Sequence, residues 1–223
     1  MARRFTEHLR SLAEPIWEAQ HAHPFVRGIG DGTIDLDRFA FWIRQDYLYL
    51  IEYCRLFGLA AARAPDLATL TRFAELLQTT ATGEMSLHRA FCKEFGFSEA
   101  DLEGEHMAPT TRGYTDFLLR VAALGDFAEL AAALLPCMWG YSEIGRRLFE
   151  NGLPEEPRCR EWIETYAAPE FAALADWCRG LVDRLGDGVS AEGRRRMEET
   201  FLTSSRYEYA FWEMAWKREA WPI

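Results

Sequence analysis

Apolar residues recur every three or four positions along most of the chain, which is the spacing of an amphipathic helix. The pattern predicts helices over roughly 5–22, 35–63, 66–95, 109–124, 126–150, 158–185 with a break near Pro169, and 190–218. No convincing strand alternation occurs, and the links between helices are short. We therefore predict an all-α fold, a compact helical bundle formed as a single domain over residues 1–223.

Residues that favour helix starts support several of these boundaries. Asp35, Asp126 and Ser190 each stand directly before an apolar-periodic segment. Their side-chain oxygens can accept hydrogen bonds from the first free N–H groups of a helix. We expect helices to begin immediately after these three residues.

Two predicted helices each carry one carboxylate on an otherwise non-ionic face. In the second helix the carboxylate is Asp46, on a face with Phe39, Ile43, Leu50, Tyr53 and Phe57. In the last helix it is Glu208, on a face with Met197, Phe201, Ser204, Phe211 and Ala215. A carboxylate that faces a core loses hydration worth several kcal/mol unless it is paired or protonated. Each could form a structural pair, but two on separate helices favour a functional site.

The strongly apolar segment 127–149 contains Pro136, which removes one helical hydrogen bond and predicts a kink. Cys137 follows, and Tyr141 projects from the same face one turn later. Gly140 and Gly145 would allow close approach of a ligand or a backbone. An isolated cysteine in such a segment more often packs in a core. With a carboxylate such as Glu208 beside it, however, the thiol would be a nucleophile with an acid/base partner.

Composition narrows the class of partner. The formal charge is −10, which disfavours binding to nucleic acid or to an anionic membrane. The 14% aromatic content is consistent with a pocket for a flat small molecule. The five cysteines are isolated in the sequence, which is typical of reduced thiols, and no apolar segment reaches membrane-spanning length. We therefore expect a cytoplasmic protein that binds small molecules or copies of itself.

Several segments together resemble the thiaminase II (TenA) family. They are WIRQDYLYL at 42–50, LLPCMWGYSEIG at 134–145, WIETY at 162–166 and SSRYEYAFWEMA at 204–215, with HPF at 23–25 and DGTI at 31–34. The match extends over nearly the whole chain, and the order and spacing of the motifs agree throughout. Residues 95–108 and 150–160 carry little of this signal.

The resemblance implies a helical fold shared with haem oxygenases, a homotetramer, and hydrolysis at the methylene attached to an aminopyrimidine ring in thiamin salvage. It implies that Cys137 is the nucleophile, Glu208 the acid/base, and Asp46 the group that holds the pyrimidine amino group and ring nitrogen. The aromatic residues that it implies in the pocket are Tyr49, Tyr114, Tyr141, Tyr166 and Phe211. No metal or other cofactor is implied.

Alternative functions remain open on the sequence alone. Glu18 and His21 form one Glu-x-x-His pair of the kind found in helical metal oxidases, but Glu84 and His88 are one residue too far apart to form a second. His21 and His23 also fit ordinary positions at a helix end or on the surface. Haem oxygenation would rest on fold similarity alone. A non-catalytic protein that binds a pyrimidine as a regulator or carrier is the other alternative.

Overall fold

The computed structural model describes residues 4–223, with Glu99 described by its backbone only. All regular elements in this range are helical, which confirms the predicted all-α fold. The α-helices are α1 Phe5–Leu12, α2 Glu14–His21, α3 Pro24–Asp31, α4 Leu36–Arg63, α5 Leu67–Thr79, α6 Met85–Glu94, α7 Glu99–Glu103, α8 Pro109–Leu124, α9 Phe127–Glu150, α10 Pro157–Ala167, α11 Pro169–Gly188 and α12 Ala191–Lys217. A π-helical turn, Thr80–Glu84, joins α5 to α6.

Two compact units make up the chain. The first comprises the chain up to Asp35 together with Ala128–Glu213, and the second comprises Leu36–Phe127 together with Met214–Ile223. In the first unit α1 packs against α11, and α10 packs against α3 and α11. In the second unit α4 packs against α5, α6 and α8. No helix within residues 4–223 is both long enough and apolar enough to cross a lipid bilayer.

The predicted helix over 5–22 is wrong as a single element. Ala13 ends α1, and Pro15 lies in the first turn of α2, where its missing N–H costs no helical hydrogen bond. The helix α3 was not predicted. His23 begins this helix, because its Nδ1 accepts a hydrogen bond from the Phe25 amide at 3.2 Å, and Gly32 ends it in a left-handed conformation with φ 67°.

The apolar faces predicted for α4 and α12 are buried, including Asp46 at 4% exposure and Glu208 at 3%. Three predicted helix starts are confirmed, since α4, α9 and α12 begin directly after Asp35, Asp126 and Ser190. Ser190 accepts a hydrogen bond from the Gly193 amide at 3.1 Å, as a capping residue does.

The predicted helix over 66–95 is present but not uniform. Asp66 caps α5, with its Oδ1 accepting from the Thr69 amide at 2.8 Å. The π-helical turn then interrupts the α-helical repeat before α6, and at its end the Met85 amide donates to the Thr80 carbonyl oxygen five residues earlier. Apolar periodicity did not predict this interruption.

Candidate active site

Cys137 and Glu208 belong to the first unit and lie on α9 and α12. Cys137 is half-buried, in contrast to Cys92, Cys159 and Cys178, which are buried. Glu208 is buried among the apolar residues of α12. The helix α9 continues through Pro136, so the proline directly before Cys137 does not end it.

Three contacts fix the register of α9 against α12. Glu129 forms an ion pair with Arg196 at 3.4 Å, the Ser204 hydroxyl donates to the Ala133 carbonyl oxygen at 2.7 Å, and the rings of Tyr141 and Trp212 have centroids 5.3 Å apart. Residue numbers rise together in both helices, so α9 and α12 run parallel.

The hydrogen bond between Ser204 and Ala133 joins positions 71 residues apart. The ring contact between Tyr141 and Trp212 has the same separation. Cys137 lies midway between Ala133 and Tyr141. Glu208 is separated from Cys137 by the same number of residues as Ser204 is from Ala133. The register therefore places the two predicted catalytic residues at the same level of two parallel helices.

The two glycines after Cys137 differ in their surroundings. At Gly145 a side-chain Cβ would lie 2.6 Å from the Tyr166 carbonyl carbon, so the glycine permits close packing of α9 against the end of α10. Gly140 is buried, yet a Cβ there would have no atom within 4 Å. Because Gly140 is one helical turn after Cys137, this empty volume is beside the thiol-bearing face of α9.

Aromatic residues cluster around Tyr141 in the first unit. The Tyr141 ring lies 5.0 Å from Tyr166 and 6.0 Å from Trp162, measured between centroids. Trp212 donates through its Nε1 to Gln20 at 3.2 Å, which fixes the orientation of that indole. Two of the predicted pocket residues, Tyr141 and Tyr166, are therefore in contact, and Phe211 is buried on α12.

In the second unit Asp46 pairs with His88, a residue that the sequence analysis weighed only as a metal ligand. Asp46 Oδ2 lies 2.7 Å from His88 Nε2, and both side chains are almost fully buried. The second ring nitrogen, Nδ1, lies 2.9 Å from the Glu84 carbonyl oxygen. Asp46 therefore has a buried partner, a histidine from α6.

Both ring nitrogens of His88 therefore face oxygen acceptors. Burial lowers the pKa of His88, but the hydrogen bond to Asp46 and the charges of Asp46 and Glu84 outweigh it, so the pKa is raised above its ordinary value. The arrangement favours an imidazolium that donates from both nitrogens.

The aromatic residues predicted for substrate binding in the second unit are also buried and in contact. The rings of Tyr49 and Tyr114 have centroids 5.2 Å apart. Tyr114 lies on α8, and Gln45 on α4 holds the start of that helix: its Oε1 accepts from the Ala108 amide and from the Thr111 hydroxyl, each at 2.8 Å. The neighbour of Asp46 in the sequence thus positions the helix that carries Tyr114.

A possible metal-binding cluster occurs in the first unit, where ligand atoms of Glu18, His21 and Glu143 lie within 4.8 Å of one another. Arg10 contacts Glu18 and Glu143 at 2.9 Å each, and Arg147 contacts the same carboxylates at 3.1 and 3.5 Å. Two guanidinium groups neutralise the carboxylates that a cation would need, so the geometry favours an ion-pair network.

His23 differs from the surface position considered for it. The ring is 3% exposed and its Nε2 lies 3.0 Å from Glu213. Its role at a helix end is confirmed, because it caps α3, but it is a buried residue.

Known proteins are similar to this chain over nearly its whole length. A sequence model of the TENA/THI-4/PQQC family matches residues 10–218. An aminopyrimidine aminohydrolase from Halalkalibacterium halodurans is 45% identical over 220 residues, covering 97% of each chain. A solved TenA homologue from P. horikoshii OT3 has a TM-score of 0.88 at 30% identity and covers 96% of this chain and 99% of its own. A Shewanella denitrificans OS217 domain of unknown function with a heme oxygenase-like fold has a TM-score of 0.72 at 14% identity, covering 96% of this chain and 90% of its own, which confirms the predicted fold.

Proposed function

The chain belongs to the TENA/THI-4/PQQC family, and we propose that it is an aminopyrimidine aminohydrolase of thiamin salvage. In this proposal it converts 4-amino-5-aminomethyl-2-methylpyrimidine to the hydroxymethyl pyrimidine, cleaves thiamin itself, or does both. The similarity to a hydrolase of that name over nearly the full length of both chains supports the reaction class. The metal oxidase is not favoured, because arginines occupy the carboxylates of the Glu18 cluster.

In the proposed reaction Cys137 is the nucleophile and Glu208 is the acid/base. Addition of the thiolate to the pyrimidine disrupts its aromaticity and helps to expel the leaving group from the exocyclic methylene. Glu208 protonates the leaving group as its bond to the methylene breaks and then takes a proton from water, which adds to the methylene. The C–S bond then breaks, which restores the aromatic ring and releases the thiolate. The observation that most supports this pair is the parallel register of α9 and α12, in which the separation of Ala133 and Ser204 is the same as that of Cys137 and Glu208.

Asp46 is proposed to hold the amino group and ring nitrogen of the pyrimidine, since a buried carboxylate can accept two hydrogen bonds from one planar edge. Tyr49, Tyr114, Tyr141, Tyr166 and Phe211 are proposed to contact the flat ring. Their burial and the contacts within each pair of tyrosines are consistent with stacking surfaces of fixed orientation.

The decisive experiment measures conversion of the aminomethyl pyrimidine and of thiamin by the wild type, Cys137→Ala and Cys54→Ala. Cys54 is a matched control, because it is also half-buried but lies on α4 in the second unit. We expect Cys137→Ala to bind the pyrimidine without turnover and Cys54→Ala to keep wild-type rates. Unchanged product formation by Cys137→Ala would exclude it as the nucleophile, and binding without turnover by the wild type would favour a regulator or carrier.

The homotetramer and the cytoplasmic location are further parts of this proposal. The molar mass in solution, measured by light scattering after size exclusion, tests the assembly against the 25.7 kDa of one chain.

A further inference from the structure

We infer that His88 is a positioning residue that holds Asp46 as an oriented carboxylate, so that Asp46 binds an aminopyrimidine as its ring-protonated cation. The inference rests on the proposed function and adds to it the ionisation state of the bound ring. It starts from the pair of hydrogen bonds that His88 makes inside the second unit.

The two hydrogen bonds of His88 fix where its protons are. A carbonyl oxygen only accepts, so Nδ1 must carry a proton toward Glu84. Nε2 faces Asp46 Oδ2 at 2.7 Å, a distance typical of a charge-assisted hydrogen bond. Because His88 is 1% exposed, water cannot substitute for either partner without a structural change. The ring therefore holds one oxygen of Asp46 in a defined orientation.

The charged groups that act on His88 are Asp46 from α4 and the Glu84 carboxylate from the π-helical turn. Both carboxylates act to favour the positively charged form of His88, and Asp46 also contacts it directly. A buried carboxylate needs a donor or a positive partner, and His88 supplies one to Asp46 Oδ2 at 2.7 Å. Because a carboxylate only accepts hydrogen bonds, the edge of a ligand that fits Asp46 must present donors.

An aminopyrimidine presents such an edge when the ring nitrogen beside its amino group is protonated. The protonated edge is an amidinium, with two parallel N–H donors that match the two oxygens of a carboxylate. Oδ2 keeps a lone pair for the amino group while it accepts from His88, and Oδ1 accepts from the ring N–H. The proton comes from solvent and remains on the ring nitrogen. Addition of a thiolate to this cation then gives a neutral adduct: the C–S bond forms, one π bond of the ring opens, and its electron pair moves onto a ring nitrogen.

Proton uptake on binding tests the inference without requiring turnover. The probe is 4-amino-5-hydroxymethyl-2-methylpyrimidine, titrated at pH 8 by calorimetry in buffers of different ionisation enthalpy. At this pH the free probe is neutral, so the wild type should take up about one proton per ligand bound. His88→Gln keeps a donor near Asp46 but loses the charge. In that variant Asp46 no longer faces an imidazolium in a fixed orientation, so proton uptake should fall toward zero and kcat/KM should fall about 100-fold.

His23→Gln is the matched control, because it also removes a buried histidine paired with a carboxylate, but in the first unit. It should lose stability and still take up about one proton. His88→Phe, which removes donor and charge together, should bind more weakly than His88→Gln.

Binding without proton uptake by the wild type, or full uptake and rate in His88→Gln, would overturn the inference. If the wild type hydrolyses the aminomethyl pyrimidine but takes up no proton when the probe binds, the inference fails and the proposed function stands. If it takes up a proton but hydrolyses neither substrate, the proposed function fails and the inference about the bound ring stands. Absence of probe binding by the wild type would overturn the inference, and absence of both binding and hydrolysis would overturn both.

Discussion

The Ser204 hydroxyl donates to the Ala133 carbonyl oxygen at 2.7 Å, and this contact lies one turn before Glu208 on α12 and one turn before Cys137 on α9. It is buried, and it joins the two helices that carry the proposed catalytic pair. The hydrogen bond therefore contributes both to stability and to the register of the two side chains.

Ser204→Ala should lower the free energy of unfolding by about 1 kcal/mol, the usual effect of removing one buried hydrogen bond. It should also lower kcat more than it raises KM, because Glu208 would no longer lie at the same height along the helix pair as Cys137. Urea unfolding and steady-state kinetics measure the two effects. Thr203→Ala is the control, since Thr203 donates to Glu199 in its own helix. Equal kinetics in both variants would show that the contact has no role in catalysis.

Gly140→Ala and Gly145→Ala should have opposite effects on stability. At Gly140 a Cβ meets nothing within 4 Å, so alanine should stabilise the helix by about 0.5–1 kcal/mol. At Gly145 it would meet the Tyr166 backbone at 2.6 Å, which should cost about 2 kcal/mol. Thermal unfolding measures both.

If the empty volume beside Gly140 accommodates the pyrimidine, Gly140→Ala should raise KM several-fold while the protein becomes more stable. An unchanged KM would show that the substrate does not use this volume.

Alkylation should select Cys137 among the five thiols. Burial raises the pKa of Cys54 to about 11, although Cys54 is only half-buried. The same effect raises the pKa of Cys92 to about 11 and that of Cys159 to about 12. At pH 8 a thiol with such a pKa is ionised in about one molecule in a thousand or fewer, so it reacts slowly with iodoacetamide.

Mass spectrometry after brief labelling should find the modification on Cys137, together with loss of activity. Prior addition of the aminopyrimidine should slow both. Rapid labelling of Cys54 instead, with activity retained, would contradict the nucleophile assignment.

Glu143 should stabilise the protein at neutral pH and lose this effect in acid. Burial acts to raise its pKa, but hydrogen bonds from His21 and Arg10 and their charges outweigh it and lower the pKa to about 2. Because the folded-state pKa lies below the ordinary value of 4.5 for a glutamate, the stabilisation is complete above pH 4.5 and is lost as the pH falls through 2.

Glu143→Gln should therefore be less stable than the wild type at pH 7, by on the order of 2 kcal/mol, and the difference should shrink at pH 3. Urea unfolding at the two pH values measures it, and a difference that does not change with pH would exclude the charge as its source. Glu150→Gln is the control, because its ion pair with Arg146 is exposed.

The sequence predicted the features that depend on the spacing of apolar residues within one helix. The burial of Asp46 and Glu208 followed from the spacing of their apolar neighbours, and helix starts followed from Asp35 and Ser190. The break at Ala13 was missed because the apolar spacing on either side of it continues, although Pro15 fits a helix start better than a helix interior.

The partner of Asp46 could not be predicted in the same way. His88 is 42 residues away, and its contact depends on how α6 packs against α4. In the sequence it stands four residues after Glu84, a spacing that drew attention only as an incomplete metal motif. The family motifs quoted above include Asp46 and not His88, so resemblance did not find it either.

The π-helical turn Thr80–Glu84 changes which face of α6 each residue occupies relative to α5. An α-helix turns by about 100° per residue, so the wider turn accommodates one residue more than a regular helix would. If the same residues continued as a regular α-helix instead, the side chains of α6 would be rotated by about that angle around the axis, and His88 would leave the face that meets Asp46. The extra residue in this turn is therefore what brings His88 to Asp46.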